Sequence, residues 1–319
     1  MDNNIIIFRT DRIGDLLVSC PAIISIKKNI KNSNITLIAS QKNYEYAKGL
    51  NIFDEVYKFP SNIFLKIFFI FKLIKKRFDY VFVFDGKERS IITSCLIRSK
   101  NKVALTPKIK KIYKIFNIKF FKDDDETNLN QIFQDFLSYL NINGKINHFN
   151  FLKDKTNNKF SSEIEISDYI HIHFDEKWFS ELYISKYTNI SPNYNEFVTF
   201  LDTISDLNDV LITTGLVDFT LIDELKKNYF KKISDKIFLK KNKNKLVYFI
   251  YKPSFDDLES LLRKTKILIS CHGSITHAAN SFDNKKIDIL EENKLNFYKR
   301  FTTCLKNYHP IYRSSFDLI

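Results

Sequence analysis

Glycine is scarce in this chain: 6 in 319 residues, alongside 6 prolines, 1 tryptophan and 1 methionine. No G-x-G-x-x-G follows the first apolar run, where residues 9–15 hold a single glycine, and G-x-x-x-x-G-K-[ST] is absent. A dinucleotide cradled on an N-terminal glycine turn is therefore disfavoured, and so is a P-loop. The 4 cysteines, Cys20, Cys95, Cys271 and Cys304, are far apart and form no C-x-x-C pair. That argues against a structural zinc site or a redox dithiol and fits a reducing compartment. Uninterrupted apolar runs fall short of the ~20 residues of a membrane-spanning helix. The N-terminus enters an apolar strand without the charged start, apolar core and small-residue cleavage site of a signal peptide, so a cytoplasmic protein is expected.

Acidic residues are outnumbered, 37 against 50 Lys and Arg, for a formal net charge of +13. Lys, Asn, Ile, Phe and Tyr are all abundant while Gly, Pro and Trp are rare, the pattern an AT-rich genome imposes on any protein. The charge therefore gives little reason to expect nucleic-acid binding. It does give a surface attracted to anionic membranes or glycolipids. Hydrophobic residues make up 44% of the chain, enough for packed cores, and the length suggests two domains.

Short apolar runs alternate with helical patterns. Ile35–Ala39, a weak run within 53–59, Tyr80–Phe84 and Val103–Leu105 read as strands, separated by helical stretches near 41–49, 61–77 and 87–98. Leu129–Leu140 has the spacing of an amphipathic helix. Residues 143–165 are polar and mark the junction, giving domains at 1–160 and 161–319. The second half repeats the alternation. Strands are expected at Tyr169–Phe174, Val210–Thr214, Leu246–Ile250, Ile267–Ile269 and Lys286–Leu290, and helices at 193–206, 218–229 and 255–264. Strands alternating with helices predict parallel sheets and an α/β class.

The most informative segment lies near the start. Ile5–Phe8 ends in Arg9-Thr10-Asp11-Arg12-Ile13-Gly14-Asp15, and an apolar helical run containing Pro21 follows at once. A strand, a tight turn and a helix start place Asp15 at the helix mouth, beyond the carboxyl end of a strand, where open α/β sheets bind ligands. Asp15 is either a general base or an ordinary carboxylate satisfying free helix N–H groups.

A second strand-to-helix turn, His272-Gly273-Ser274-Ile275-Thr276-His277, offers backbone N–H groups and hydroxyls to an anion, or a plain helix cap with a packed histidine. Its two histidines lack a third ligand at a zinc spacing. Lys177, beside the lone Trp178, reads by itself as a solvated lysine next to a core tryptophan. Thr213-Thr214-Gly215 is either a close-approach turn at a ligand or an ordinary strand end. Asp288, Glu291 and Glu292 follow the last strand, where a carboxylate could hold a ribose. The run Ile63–Arg77 is basic and aromatic. It reads as a helix buried on the sheet or as one lying on a membrane surface. Lys108–Lys122 has the same composition and the same open choice between an anionic lipid-linked acceptor and solvent.

Residues 9–21 resemble the N-terminal signature of glycosyltransferase family 9, the heptosyltransferase-like enzymes. The order of elements resembles that family over most of the chain. The resemblance implies a GT-B architecture, two Rossmann-like domains facing each other across a cleft, with the tail at 297–319 packing back on the N-terminal domain. It implies inverting transfer of a heptose or related sugar from a nucleotide-sugar to a hydroxyl of lipopolysaccharide or another cell-surface glycan. No bound metal or other cofactor is expected. Asp15 would be the catalytic base, with Asp11, Arg12 and Gly14 orienting it or touching the acceptor. Lys177, Thr213, Thr214, Gly215, His272, Gly273, Ser274, Thr276 and His277 would hold the donor. The family's D-S-G-x-x-H-like segment is altered here: aligning on His277 puts His272 in place of the acid and Ser274 in place of the glycine. A divergent branch is implied, and a catalytically degenerate nucleotide- or glycan-binding protein stays open as the alternative. Partners would be the donor, a glycan or lipid-linked acceptor and, peripherally, the cytoplasmic face of the inner membrane.

Overall fold

The computed structural model describes residues 2–110, 115–124, 126–154 and 163–316. Parts of the Lys108–Lys122 run, of the 143–165 junction and of the tail at 297–319 lie outside the described residues.

The chain divides into two compact units. Unit 1 spans Met1–Phe151 with Lys299–Thr303, and unit 2 spans Leu152–Tyr298 with Cys304–Ile319. Unit 1 holds β1 (Asn3–Arg9), α1 (Ile13–Asn29), β2 (Ser33–Ala39), α2 (Tyr44–Lys48), β3 (Glu55–Lys58), α3 (Ile63–Lys75), β4 (Tyr80–Val83), α4 (Glu88–Leu96), β5 (Asn101–Thr106), β6 (Lys119–Lys122) and α5 (Leu129–Tyr139). Its sheet is parallel throughout, in the order β3-β2-β1-β4-β5-β6. Ile5–Phe8 in β1 are fully buried, as a central parallel strand covered on both faces requires. Strand order reverses at β1, so the carboxyl ends of β1, β2 and β4 frame the switch-point crevice.

Unit 2 holds β7 (Tyr169–Phe174), α6 (Tyr194–Ser205), β8 (Val210–Thr214), α7 (Thr220–Asn228), β9 (Lys231–Lys232), β10 (Ile237–Asn242), β11 (Lys245–Ile250), α8 (Phe255–Leu262), β12 (Thr265–Cys271), α9 (Ser274–Ala279), β13 (Lys285–Leu290) and β14 (Tyr308–Tyr312), while α10 (Leu295–Thr302) is divided, its residues up to Tyr298 in unit 2 and those from Lys299 in unit 1. Its sheet runs β14-β13-β12-β7-β8-β11-β10-β9, parallel from β14 to β11 with an antiparallel edge formed by β10 and β9. Order reverses at β7, which places the ends of β7, β8 and β12 side by side. The core is aromatic: Phe174 stacks on Phe197 at 4.2 Å and meets Trp178 edge-on at 5.1 Å.

Two expectations need correction. The tail does not pack as one piece on unit 1. Lys299–Thr303 belongs there, with Arg300 donating to Thr127 O and paired with Asp123, but β14 adds a parallel strand beside β13 in unit 2. A strand edge left open by β13 is a hydrogen-bonding template, and β14 satisfies it. The run Ile63–Arg77 is not a buried helix either. Of α3 only Leu73 is buried, packing with partly buried Phe69 against Phe59 and Phe78, while the other face is in solvent. Among the described residues no helix is long and apolar enough to cross a membrane.

Candidate functional site

In unit 1, a cavity of about 510 Å³ opens at the carboxyl ends of β1, β2 and β4. Its lining includes Thr10, Asp11, Arg12, Asp15, Ser40, Lys42, Lys66, Lys87 and Arg89. Asp15 is the third residue of α1, and its Oδ2 accepts from Arg12 N, at the start of the helix, at 3.1 Å. One oxygen of Asp15 thus serves the helix start, and among the described residues Oδ1 accepts no hydrogen bond. The carboxylate is half-buried at the rim.

The turn is held rigid from beneath. Arg9, 4% exposed, donates from Nε to Asp15 O at 2.9 Å, pairs with Asp11 at 3.1 Å and bonds Phe84 O. Ser40 Oγ donates to Asp11 O at 2.5 Å, and Asn43, fully buried, donates to Arg9 O at 2.9 Å. Asp85, at the end of β4, accepts from Thr10 N at 3.0 Å, Thr10 Oγ1 at 2.7 Å and Ser90 Oγ at 2.7 Å. Lys87 pairs with Asp11 and donates to Thr10 O at 2.6 Å, while Arg89 donates to Thr10 Oγ1 at 3.0 Å. Burial pushes the Asp11 carboxyl up, and Arg9 and Lys87 only partly offset it. Asp11 is thus spent on orienting cations, whereas Arg12 is exposed and free of a side-chain ion pair among the described residues. Sequence reasoning missed Asp85, Lys87, Arg89, Ser40 and Lys66. The Asp85-Gly86 pair at a strand end was the available signal, but only sheet order places it beside Thr10.

In unit 2 the ends of β7, β8 and β12 bring Lys177, Gly215 and Gly273 together. A Cβ on Gly273 would stand 2.7 Å from Lys177 Nζ, and one on Gly215 would stand 2.8 Å from Glu176 Oε2 and 2.9 Å from Asp175 Cβ. Lys177 Nζ pairs with Asp175 Oδ2 at 2.5 Å. Burial pushes the Asp175 carboxyl up, but Lys177 and His173 outweigh it and hold it well below the usual range. Burial likewise opposes charge on Lys177, and Asp175 outweighs it, so the ammonium persists.

Behind this pair runs a buried polar chain that sequence reasoning did not find. His173 Nε2 lies 3.4 Å from Asp175 Oδ2. Thr213 Oγ1 stands between His173 Nδ1 at 3.0 Å and His171 Nε2 at 2.8 Å. A hydroxyl donates one proton. With His173 donating from Nε2 to the carboxylate, Thr213 donates to His173 Nδ1 and accepts from His171 Nε2. Burial first, and His173 second, lower the His171 pKa well below its ordinary value, which keeps that ring neutral. The alternation Tyr169, His171, His173 along β7 puts these side chains on one face, a signal that was present in the sequence.

The structure corrects several donor-site expectations. Thr213 is fully buried on the two histidines, and Thr214, 1% exposed, accepts from Lys252 N at 2.8 Å, so neither hydroxyl is presented to a ligand. Thr276 is fully buried, its Oγ1 donating to Asp288 Oδ1 at 3.1 Å and accepting from Gly273 N at 3.4 Å. Asp288, fully buried, also meets His272 Nδ1 at 2.7 Å and accepts from Tyr308 OH at 2.8 Å, so it is committed inside the fold and not set to hold a ribose. Glu291 accepts from Thr188 N at 2.8 Å and is likewise committed; Glu292 is exposed. His272 is packed against Tyr298 at 4.5 Å and His277 at 5.0 Å. Burial first, and His272 second, push the His277 pKa well below its ordinary value. Gly273 and Ser274 are half-buried at the start of α9. Among the described residues no group of three or more His, Cys, Asp or Glu is placed to hold a metal ion.

No family model matches the chain, and no curated protein does. Solved structures do. A glycosyl transferase family 9 protein from Veillonella parvula DSM 2008 superposes with a TM-score of 0.67 at 13% identity, over 97% of this chain and 86% of that one. The E. coli heptosyltransferase WaaC with ADP gives 0.63 at 11% identity, over 99% and 94%. The UDP-GlcNAc 2-epimerase from Methanocaldococcus jannaschii gives 0.54 at 13% identity, over 98% and 89%. At such identities the likeness is one of fold, and one fold hosts more than one chemistry. The chain has the GT-B fold of two Rossmann-like units, which the family 9 glycosyl transferase, the heptosyltransferase and the epimerase share.

Proposed function

We propose that the chain is a divergent family 9 glycosyltransferase that moves a sugar, heptose or a relative, with inversion, from a nucleotide-sugar to a hydroxyl of lipopolysaccharide or another cell-surface glycan. The observation that carries the reading is the Asp15 carboxylate at the rim of the switch-point cavity, with one oxygen serving the start of α1 and Oδ1 accepting no bond among the described residues. In this reaction the acceptor oxygen attacks the anomeric carbon while Asp15 takes its proton. The bond from that carbon to the diphosphate breaks, and the nucleoside diphosphate leaves. Arg12, Lys42 and Lys66 line the same cavity and suit an acceptor that bears negative charge.

Unit 2 would hold the donor. Lys177, fixed by Asp175 and lying against Gly273, meets the charge that grows on the leaving diphosphate, the kind of preorganised stabilisation that lowers a barrier. Gly215 and Gly273 allow close backbone approach. The reading needs no resident metal and belongs in the cytoplasm. Its support is the likeness in fold to a family 9 glycosyl transferase and to a heptosyltransferase with ADP bound, together with the resemblance at residues 9–21.

A second reading is a nucleotide- or glycan-binding protein without catalysis. It is favoured by His272, which stands where the resemblance has an acid and is tied to Asp288. Calorimetry with ADP, GDP and UDP, followed by product analysis with the matching sugar donors, separates the two. Asp15→Asn is expected to lower transfer roughly 100-fold or more while leaving nucleotide affinity within about twofold. Full transfer by that variant removes Asp15 from the mechanism. Nucleotide binding with no product from any donor supports the second reading.

A further inference from the structure

We propose that α3 is a docking helix for an anionic phospholipid bilayer. The helix is anchored to unit 1 by Phe69 and Leu73, which pack with Tyr57 and Phe59. Its other side is apolar and in solvent. Ile63 is 60% exposed, Phe64 77%, Leu65 60%, Ile67 48%, Phe68 73% and Phe71 59%. Residues 64, 67, 68 and 71 follow the helical repeat and form one stripe. Phenylalanines present 150–250 Å² each, so these three alone leave on the order of 400 Å² of apolar surface. A patch of that size is comparable to the largest apolar patch of an ordinary monomer, which is often functional.

Charge selects the occupant. From Val56 to Phe78 the chain has no Asp or Glu, and it carries Lys58, Lys66, Lys72, Lys75, Lys76 and Arg77. Lys76 pairs with Glu55 at 3.3 Å, whereas Lys72 and Lys75 flank the exposed stripe one turn beyond Phe68 and Phe71. A second copy of this chain would bring two acid-free basic faces together and is opposed by like-charge repulsion. An anionic bilayer meets both features. Phe64, Ile67, Phe68 and Phe71 enter the boundary between headgroups and acyl chains, and Lys72 and Lys75 meet phosphate groups. Asn62 starts the helix in the required place, its side chain accepting from Phe64 N at 2.9 Å and Leu65 N at 3.3 Å.

The test is flotation of the full chain with vesicles of phosphatidylglycerol and phosphatidylcholine in equal parts, against phosphatidylcholine alone, with neither donor nor acceptor present. It therefore neither needs nor probes Asp15. The chain is expected to partition at least tenfold better onto the anionic vesicles, an advantage lost at about 1 M salt, where the Debye length is ~3 Å. The combined variant Phe64→Ser, Phe68→Ser, Phe71→Ser should lose at least tenfold in partition and keep its melting temperature, since these rings are mostly exposed. Lys75→Glu, which leaves the stripe intact, should weaken anionic binding severalfold. Failure of the natural chain to float, equal flotation by the triple variant, or a dimer that the same serines abolish would overturn the proposal.

Discussion

Asp175 and Lys177 are bound to each other by more than proximity. The carboxylate is 3% exposed and braced by His173, and the lysine side chain is 17% exposed. Removing one partner leaves the other charged and largely desolvated, a loss of about 3–5 kcal/mol for buried pairs. Asp175→Asn is therefore expected to cost about 3 kcal/mol, at the lower end because Lys177 keeps some water; urea unfolding at neutral pH measures it. The pair also fixes a pH dependence. The folded pKa of Asp175 lies below its ordinary 3.8, so its stabilisation is complete above that value and lost as pH falls through the lowered folded pKa. The unfolding midpoint should be flat in this contribution from pH 7 to 5 and decline below about pH 4, with a shallower decline in Asp175→Asn. The family resemblance pointed to Lys177 beside Trp178 but not to its partner, because an Asp two residues earlier at a strand end is an unremarkable local pattern. It becomes half of an ion pair only when β7 ends beside β8 and β12.

At the scale of elements, the long central strands and the amphipathic α5 were legible, because an apolar run or a three-and-four spacing follows from backbone geometry alone. Short edge elements were not. β6 is Lys119-Phe120-Phe121-Lys122, and β9 is two lysines. Their strand character comes from the neighbour that supplies hydrogen bonds, not from their own side chains. β14 contains Pro310 and is likewise a strand because β13 needs a partner. For α3 the spacing gave a helix correctly and left its surroundings open, since it is apolar on both sides and nothing local says which side meets the sheet. Its exposed face leaves the helix dependent on its cap. Asn62→Ala should cost about 1 kcal/mol in the local opening of α3, read as faster amide exchange across 63–75 with little change in global unfolding.

At the scale of the molecule, each unit has its own switch point, at β1 in unit 1 and β7 in unit 2. The proposed division of labour follows, acceptor chemistry on the first and nucleotide on the second. Hydrogen exchange with the nucleoside diphosphate that calorimetry selects should slow amides at 174–178, 213–216 and 271–277. It should leave 9–15 and 84–89 within about twofold of their rates in the free protein. Protection of the unit 1 turn alone would reverse the roles assigned to the units.

The amino-acid sequence by itself determined the alternation of strands and helices, the parallel class and the strand-turn-helix that delivers Asp15. Each of these depends on periodicity or on neighbours a few residues away. Tertiary structure decided the rest. It set Asp85 against Thr10 across 75 positions and Thr213 between two histidines about 40 positions earlier, and it left the outer face of α3 in water. Those contacts depend on which strand lies beside which, and no local pattern carries that order.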